Sequence, residues 1–204
     1  MCLPALLLPL FLLCSAALPS AAASVQVKAV GSDGNPLPQA VVFLESIDAK
    51  AAARPMQRVE IEQAGRRFTQ RVTVVTVGTE VNFPNRDKVR HHVYSFSPVK
   101  SFELKLYSGM PSNPVLFDKS GIAVLGCNIH DSMVAWVVVV ETPHHGQTTA
   151  DGLLRLDNVP AGSYRLRTWH PGLPPGAAAA DEALVVGSGN GSVQVRLPLT
   201  AAAL

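Results

Sequence analysis

The stretch Gly126-Cys127-Asn128-Ile129-His130-Asp131-Ser132-Met133 carries a thiol, an imidazole and a thioether at Cys-x2-His-x2-Met spacing. Donors this close in sequence can converge on a single ion. They are three of the four side chains used by copper electron-transfer sites: two His and one Cys in a trigonal plane, with a weak axial Met. Soft sulfur donors select copper over hard cations, and the thioether argues against zinc, which takes thiolate, imidazole and carboxylate. Taken singly, each residue has a plainer use: Met133 as core filler, His130 as a hydrogen-bonded surface residue. Their coincidence on one loop is what points to a metal. The second imidazole must come from upstream, where His91-His92 follows the turn Pro84-Asn85-Arg86-Asp87.

Cysteine usage sharpens this. Residues Leu3 to Leu18 are almost uninterrupted apolar, and Ser20-Ala21-Ala22-Ala23 precedes Ser24, the pattern of a secretory signal peptide cleaved after residue 23. Cys2 and Cys14 leave with that segment, so Cys127 is the single cysteine of the mature chain. It has no disulfide partner within the chain, and in an oxidising compartment it needs burial or a metal. The expected location is the periplasm. Nothing after the signal is long enough to span a bilayer, so no stable membrane insertion is expected once it is removed.

The 204 residues carry 17 Lys and Arg against 15 Asp and Glu, interspersed and without a basic block, so nucleic acid is not an expected partner. Neither a Gly-x-Ser-x-Gly elbow nor a His-Glu-x-x-His motif occurs, and there is no second cluster of three histidines such as copper oxidases need. No enzyme is expected. Asp131, beside His130, reads as a loop-capping residue and not as an acid/base partner.

The elements that must position these donors read as short strands joined by Gly/Pro turns, with no sustained helical period. Val25 to Val30 and Ala40 to Leu44 flank the turn at Gly31–Pro36. Val72 to Val77 is a β-branched run, and His91 to Phe96, Phe102 to Tyr107, Val115 to Phe117, Ala123 to Leu125 and Val134 to Val140 follow. Leu154 to Leu156, Tyr164 to Thr168 and Ser192 to Leu197 alternate again. Residues 47–57 and 142–148 read as linkers, and Pro171 to Asp181 as a loop. His170 reads as a hydrogen-bonded structural residue, and His144-His145 as a solvated pair.

Residues 58–141 resemble a cupredoxin of the plastocyanin and amicyanin group. The Cys-x2-His-x2-Met loop matches the amicyanin spacing, and Gly121 stands at the family's interval before Cys127. Val81-Asn82-Phe83-Pro84-Asn85 followed by His91-His92-Val93 resembles the family's Val-x-Phe-x-Asn and His-Asn-Val segments. The chain is also similar to bacterial proteins often labelled methylamine utilisation protein, which share His-His-Val-Tyr-Ser-Phe-Ser and Gly-Cys-Asn-Ile-His-Asp. The resemblance implies one mononuclear type 1 (blue) copper ion held by His91, Cys127, His130 and Met133, and one-electron transfer to a redox partner. Copper delivery or sequestration, and a purely structural sandwich, are the alternatives. His91 is the ligand by this register. Alternation leaves room for only one of the pair, and the bulkier face His92-Tyr94-Phe96 would favour His92 if it pointed inward. Ala123 and Leu125 replace family aromatics, and Ile129 replaces a common Pro.

The flanks resemble a carboxypeptidase regulatory-like (transthyretin-like) sandwich, with Asp33-Gly34-Asn35-Pro36-Leu37-Pro38 in its first part and Asp151-Gly152 and Val159-Pro160-Ala161-Gly162-Ser163-Tyr164 in its second. The expected organisation is therefore 1–23 signal peptide, 24–46 and 147–200 as two parts of the regulatory-like sandwich, and 58–141 as the cupredoxin domain. The expected fold class is all-β: a cupredoxin Greek-key β-sandwich with an additional small Ig/transthyretin-like β-sandwich portion.

Overall fold

The computed structural model describes residues 22–200, so the expected signal segment lies outside it except for its last two residues. Two strands open the chain, β1 (Ala22–Val30) and β2 (Val41–Glu45), followed by the helix α1 (Ile47–Ala52). Eight strands come next: β3 (Val59–Glu60), β4 (Val72–Thr76), β5 (Thr79–Asn82), β6 (His91–Ser97), β7 (Lys100–Tyr107), β8 (Val115–Phe117), β9 (Gly121–Cys127) and β10 (Val134–Val140). Five more close it: β11 (His145–Gln147), β12 (Leu153–Pro160), β13 (Gly162–Trp169), β14 (Ala180–Val186) and β15 (Gly191–Arg196). The chain is all-β, as its patterning implies.

The middle strands form two facing sheets, ordered β4-β10-β9-β6-β7 and β3-β5-β8. Between them Ile61, Val75, Val81, Phe83, Val93, Phe117, Leu125 and Val137 make a buried core that also takes in Cys127 and Met133. The outer strands form a second pair of sheets, β12-β1-β15 and β11-β2-β13-β14. The opening strands thus pair with the closing ones: Val25 opposite Leu156 and Gly191, Val42 opposite Thr168. Ala22 and Ala23 already pair in β1, opposite Pro160 and Val159, so that strand begins ahead of the cleavage point expected before Ser24.

A third cluster joins the two sandwiches. Val41, Phe43 and Trp169 of the outer sheet meet Val72, Val74, Val138 and Val140 of the inner one, with Trp136 and Trp169 ring centroids 6.3 Å apart. This explains two sequence runs that do not alternate. In β10, Val137 and Val139 face the inner core while Val138 and Val140 face the second sandwich, and all of β4 is buried. Strands covered on both faces read as continuous apolar runs.

Three expectations are corrected. Residues 47–57 are not wholly loop, because alanine-rich α1 forms there, with the Ser46 hydroxyl accepting from the Ala49 amide at 3.0 Å. Six residues are too few to show a helical period, so cap and propensity are the only signals. Residues 142–148 are not a free linker: His145–Gln147 pairs with Val41–Phe43. The segment ending at Asp181 gives way to strand β14 at Ala180. Among the described residues no helix is long and apolar enough to cross a membrane.

Burial holds His144, His145 and His170 below the usual histidine value, His145 also through its neighbour His144. His170 has its two ring nitrogens used, Nε2–H donating to the Pro38 carbonyl and Nδ1 accepting from the Gly172 amide, both at 2.9 Å. Because these folded values lie below the unfolded ones, the unfolded chain takes up protons first as pH falls through about 6.5. The stabilisation is complete above that pH and is lost below it. Metal-free protein should therefore melt at lower temperature at pH 5.5 than at pH 7.5, and His170→Asn with His145→Gln should flatten that dependence. A melting temperature that stays level or rises on acidification would contradict the assignment.

Candidate metal centre

Cys127 closes β9 and His91 opens β6, and the pairing of Val93 with Cys127 and of Tyr94 with Gly126 sets them side by side. The Asn128 amide donates to the His92 carbonyl at 3.0 Å and extends that pairing into the loop. The loop then turns back, the Met133 amide donating to the His130 carbonyl at 2.9 Å, and β10 begins with Val134 opposite Gly126. One hairpin therefore carries Cys127, His130 and Met133, and the neighbouring strand supplies His91.

His91 Nδ1 and His130 Nδ1 each lie 3.8 Å from Cys127 Sγ, and the two imidazole centroids are 5.0 Å apart. The ligand atoms of these three residues all fall within 4.8 Å of one another. His91 and Cys127 are buried, Met133 is buried in the same core, and His130 is half-buried. Metal–sulfur and metal–nitrogen bonds of about 2.3 and 2.0 Å at a trigonal angle put S and N about 3.7 Å apart, against about 3.5 Å at a tetrahedral angle. The observed 3.8 Å is compatible with one ion bound to all three atoms, and a thiolate, two imidazoles and a thioether nearby in sequence are donors that suit copper better than zinc. The donor set fits copper.

The second histidine of the pair goes elsewhere. His92 points to the other face of β6, its Nε2 3.7 Å from Glu103 and its ring edge-on to Tyr94. Burial alternates along β6, with His91, Val93 and Ser95 buried and His92, Tyr94 and Phe96 more exposed. A Cβ on Gly126 would come within 2.7 Å of the Tyr94 phenol, so the bulky ring lies on the outer face over glycine, next to Cys127. Gly121 is required for a different reason: its φ is +133° and a Cβ would meet Val99 at 2.6 Å. The departures Ala123 and Leu125 are core residues, and Ile129 is exposed.

Asp87 reads in the sequence only as a turn residue, and in the structure it ties the His91 ring to loop 64–67. His91 Nε2–H donates to Asp87 Oδ2 at 2.9 Å, which fixes the tautomer and leaves the Nδ1 lone pair directed to the sulfur side. The Gly65 and Arg66 amides donate to the same carboxylate at 2.7 and 2.9 Å. Both residues have left-handed backbones, at φ +65° and +57°, which aim successive amides at one anion. The Arg66 amide first, then the His91 ring, hold the Asp87 carboxyl below the usual carboxylate range. Around it Asn85 accepts from the Asp87 amide and donates to the Val89 and Tyr107 carbonyls. Gln63 donates to the Tyr107 hydroxyl, and burial pushes that phenol up to about 12. The sequence signal for Asp87 is a carboxylate four residues before His91, at a turn that brings the chain back.

No protein-family model matches the chain, and no curated protein matches it. Solved structures that are similar include a reduced Cu(I) form of an amicyanin variant, at 22% identity and TM-score 0.37 over 48% of this chain and 98% of that one. A second Cu(I) amicyanin variant is similar at 21% identity and TM-score 0.37, over the same shares. A purple cupredoxin from Nitrosopumilus maritimus is similar at 19% identity and TM-score 0.36, over 41% of this chain and all of the other.

Removing the carboxylate that holds the His91 ring should loosen the centre without unfolding it. Asp87→Ala is expected to lower copper affinity roughly ten- to hundredfold in chelator competition, the usual cost of losing such a partner. Far-ultraviolet circular dichroism of the variant should stay unchanged. Undiminished affinity would remove Asp87 from the site.

Proposed function

We propose that the chain is a periplasmic type 1 copper protein that carries single electrons, with one ion held by His91, Cys127, His130 and Met133. The observation that supports this most directly is the pair of 3.8 Å separations from Cys127 Sγ to two imidazole Nδ1 atoms, at a buried sulfur with a buried methionine on the same loop. Copper, when bound, supplies a one-electron couple between Cu(II) and Cu(I).

The chain's own residues do the rest. Strand pairing holds His91 and Cys127, and Asp87 fixes the first ring, so the donors are arranged before any ion arrives. The core of Phe83, Val93, Leu125 and Ala135 excludes water from the sulfur. A four-donor set leaves no position for a substrate, which favours a carrier over an enzyme. His130 is half-buried with Nδ1 facing the sulfur, and its Nε2 makes no hydrogen bond among the described residues. That ring edge is the place where an electron enters and leaves, towards a redox partner protein.

The remaining organisation belongs to the same proposal. A signal peptide over 1–23 delivers the chain to the periplasm, and 58–141 is a cupredoxin inserted between the 24–46 and 147–200 parts of a regulatory-like sandwich. The pairing of β1 and β2 with β11, β12, β13 and β15 supports the insertion.

The test is retention through redox cycles. Copper-loaded protein should be reduced by ascorbate and reoxidised by hexacyanoferrate(III) repeatedly, with bathocuproine disulfonate present and little copper captured. Loss of most of the copper in the first reduced interval would favour a delivery or sequestration protein and overturn the carrier assignment.

A further inference from the structure

Charges that are interspersed along the sequence are gathered by the fold at one end of the inner sandwich. Loop 64–67 carries Arg66 and Arg67, and the segment from 86 to 90 carries Arg86, Lys88 and Arg90. The two meet because both the Gly65 and Arg66 amides donate to Asp87, and because the Arg86 amide donates to the Gln63 carbonyl at 2.9 Å. All five cations are exposed. The nearby carboxylates on these segments are already engaged, Glu62 with Arg86 at 3.0 Å and Asp87 with His91 and the two amides. Among the described residues Arg66, Arg67, Lys88 and Arg90 make no ion pair. The excess of cations here is local, since the whole chain has a net charge of only +2.

The cluster stands at the metal end. Asp87, at its centre, is the carboxylate that orients His91, and Asn85 ties the same loop to Gly109 and Tyr107. Exposed apolar side chains accompany it: Val89 between two of the cations, Met110 after Gly109, and Ile129 beside His130. Apolar contacts bordered by charge are the composition of a protein docking surface, and clustered charge of one sign steers an oppositely charged partner. Four of the five cations are Arg, whose planar fork matches carboxylates in bidentate pairs. No aromatic ring lies among them in 64–67 or 86–90 on which a nucleic-acid base could stack.

We infer that this end of the protein docks an acidic partner protein, whose clustered carboxylates meet Arg66, Arg67, Arg86, Lys88 and Arg90 and so bring its redox centre to the half-buried edge of His130. The inference builds on the electron-carrier reading for the partner's redox role. The surface itself does not require the metal.

Decaglutamate serves as the probe of clustered carboxylates, titrated into metal-free and Cu(I)-loaded protein at 20 and 200 mM salt and followed by amide chemical shifts. The expected shifts fall in 64–67, 86–90 and 128–132, in both forms. The affinity should weaken by about tenfold or more between the two salt concentrations, as attraction between exposed charges does under screening. Arg67→Glu with Lys88→Glu and Arg90→Glu should abolish binding, whereas the control Lys28→Glu with Arg155→Glu on the outer sandwich should leave it intact. The milder Gln set at the first three positions should weaken it if the Glu set misfolds. Shifts spread evenly over the surface, or binding insensitive to these substitutions, would overturn the inference. So would tighter binding through the same residues to phosphatidylserine vesicles than to decaglutamate, which would assign the surface to a membrane. Failure of copper to bind, with decaglutamate binding intact, would count against the electron-carrier reading alone.

Discussion

The pairing of Val93 with Cys127 across β6 and β9 is the contact on which the metal centre depends. It puts the last residue of one strand beside the first of the next, at the same end of the sandwich, with both side chains directed to the core. A slip of one residue would turn His91 outward and His92 inward, because side chains alternate along a strand. Several contacts oppose that slip. Val93 and Ser95 are fully buried, Gly126 leaves room for Tyr94 on the outer face, and the Asn128 amide is committed to the His92 carbonyl. The irregularity in the pairing with β7 lies on β7, where the register steps three residues from Tyr107 to Leu104 while β6 advances two from His91 to Val93. Bulges put the extra residue and the bend on the bulged strand, so β6 runs through His91 without one.

From that pairing the site is built outward in layers. The sulfur and two imidazoles converge, Asp87 fixes one ring, and loop 64–67 fixes Asp87 with two amides from left-handed residues. A left-handed arginine backbone costs free energy, and the charge-assisted hydrogen bonds to the carboxylate offset it. The second sandwich supports the same sheet from behind, through Val138, Val140 and Trp169. Its contacts run along β4 and β10 through Val72, Val74, Val138 and Val140, on the face turned away from the inner core.

Much of this was legible in the sequence, and the failures have physical causes. The approach of His130 to Cys127 was legible because one loop carries both, so their proximity needs no knowledge of the fold. His91 was harder to separate from His92, since Tyr94 and Phe96 on the His92 face look like core. In the structure the core opposite His91 is already filled by Phe83, Phe117 and Leu125, and the outer face accommodates the aromatic stripe over Gly126. Asp87 was hidden because its role depends on loops 64–67 and 86–90 meeting, which turn propensity does not specify. The cations were hidden for the same reason, being separated along the chain and adjacent only once folded. Helix α1 is too short to show a period, and β11 takes its strand identity from pairing with β2 and not from its own residues.

The visible and electron paramagnetic resonance spectra of copper-loaded mature protein, recorded beside those of Cys127→Ser, bear most directly on the central assignment. A type 1 site should give an intense thiolate-to-copper absorption band and a narrow copper hyperfine splitting, both lost in the serine variant while far-ultraviolet circular dichroism is unchanged. A colourless copper complex, a spectrum indifferent to Cys127, or a protein that takes zinc in preference to copper would contradict it.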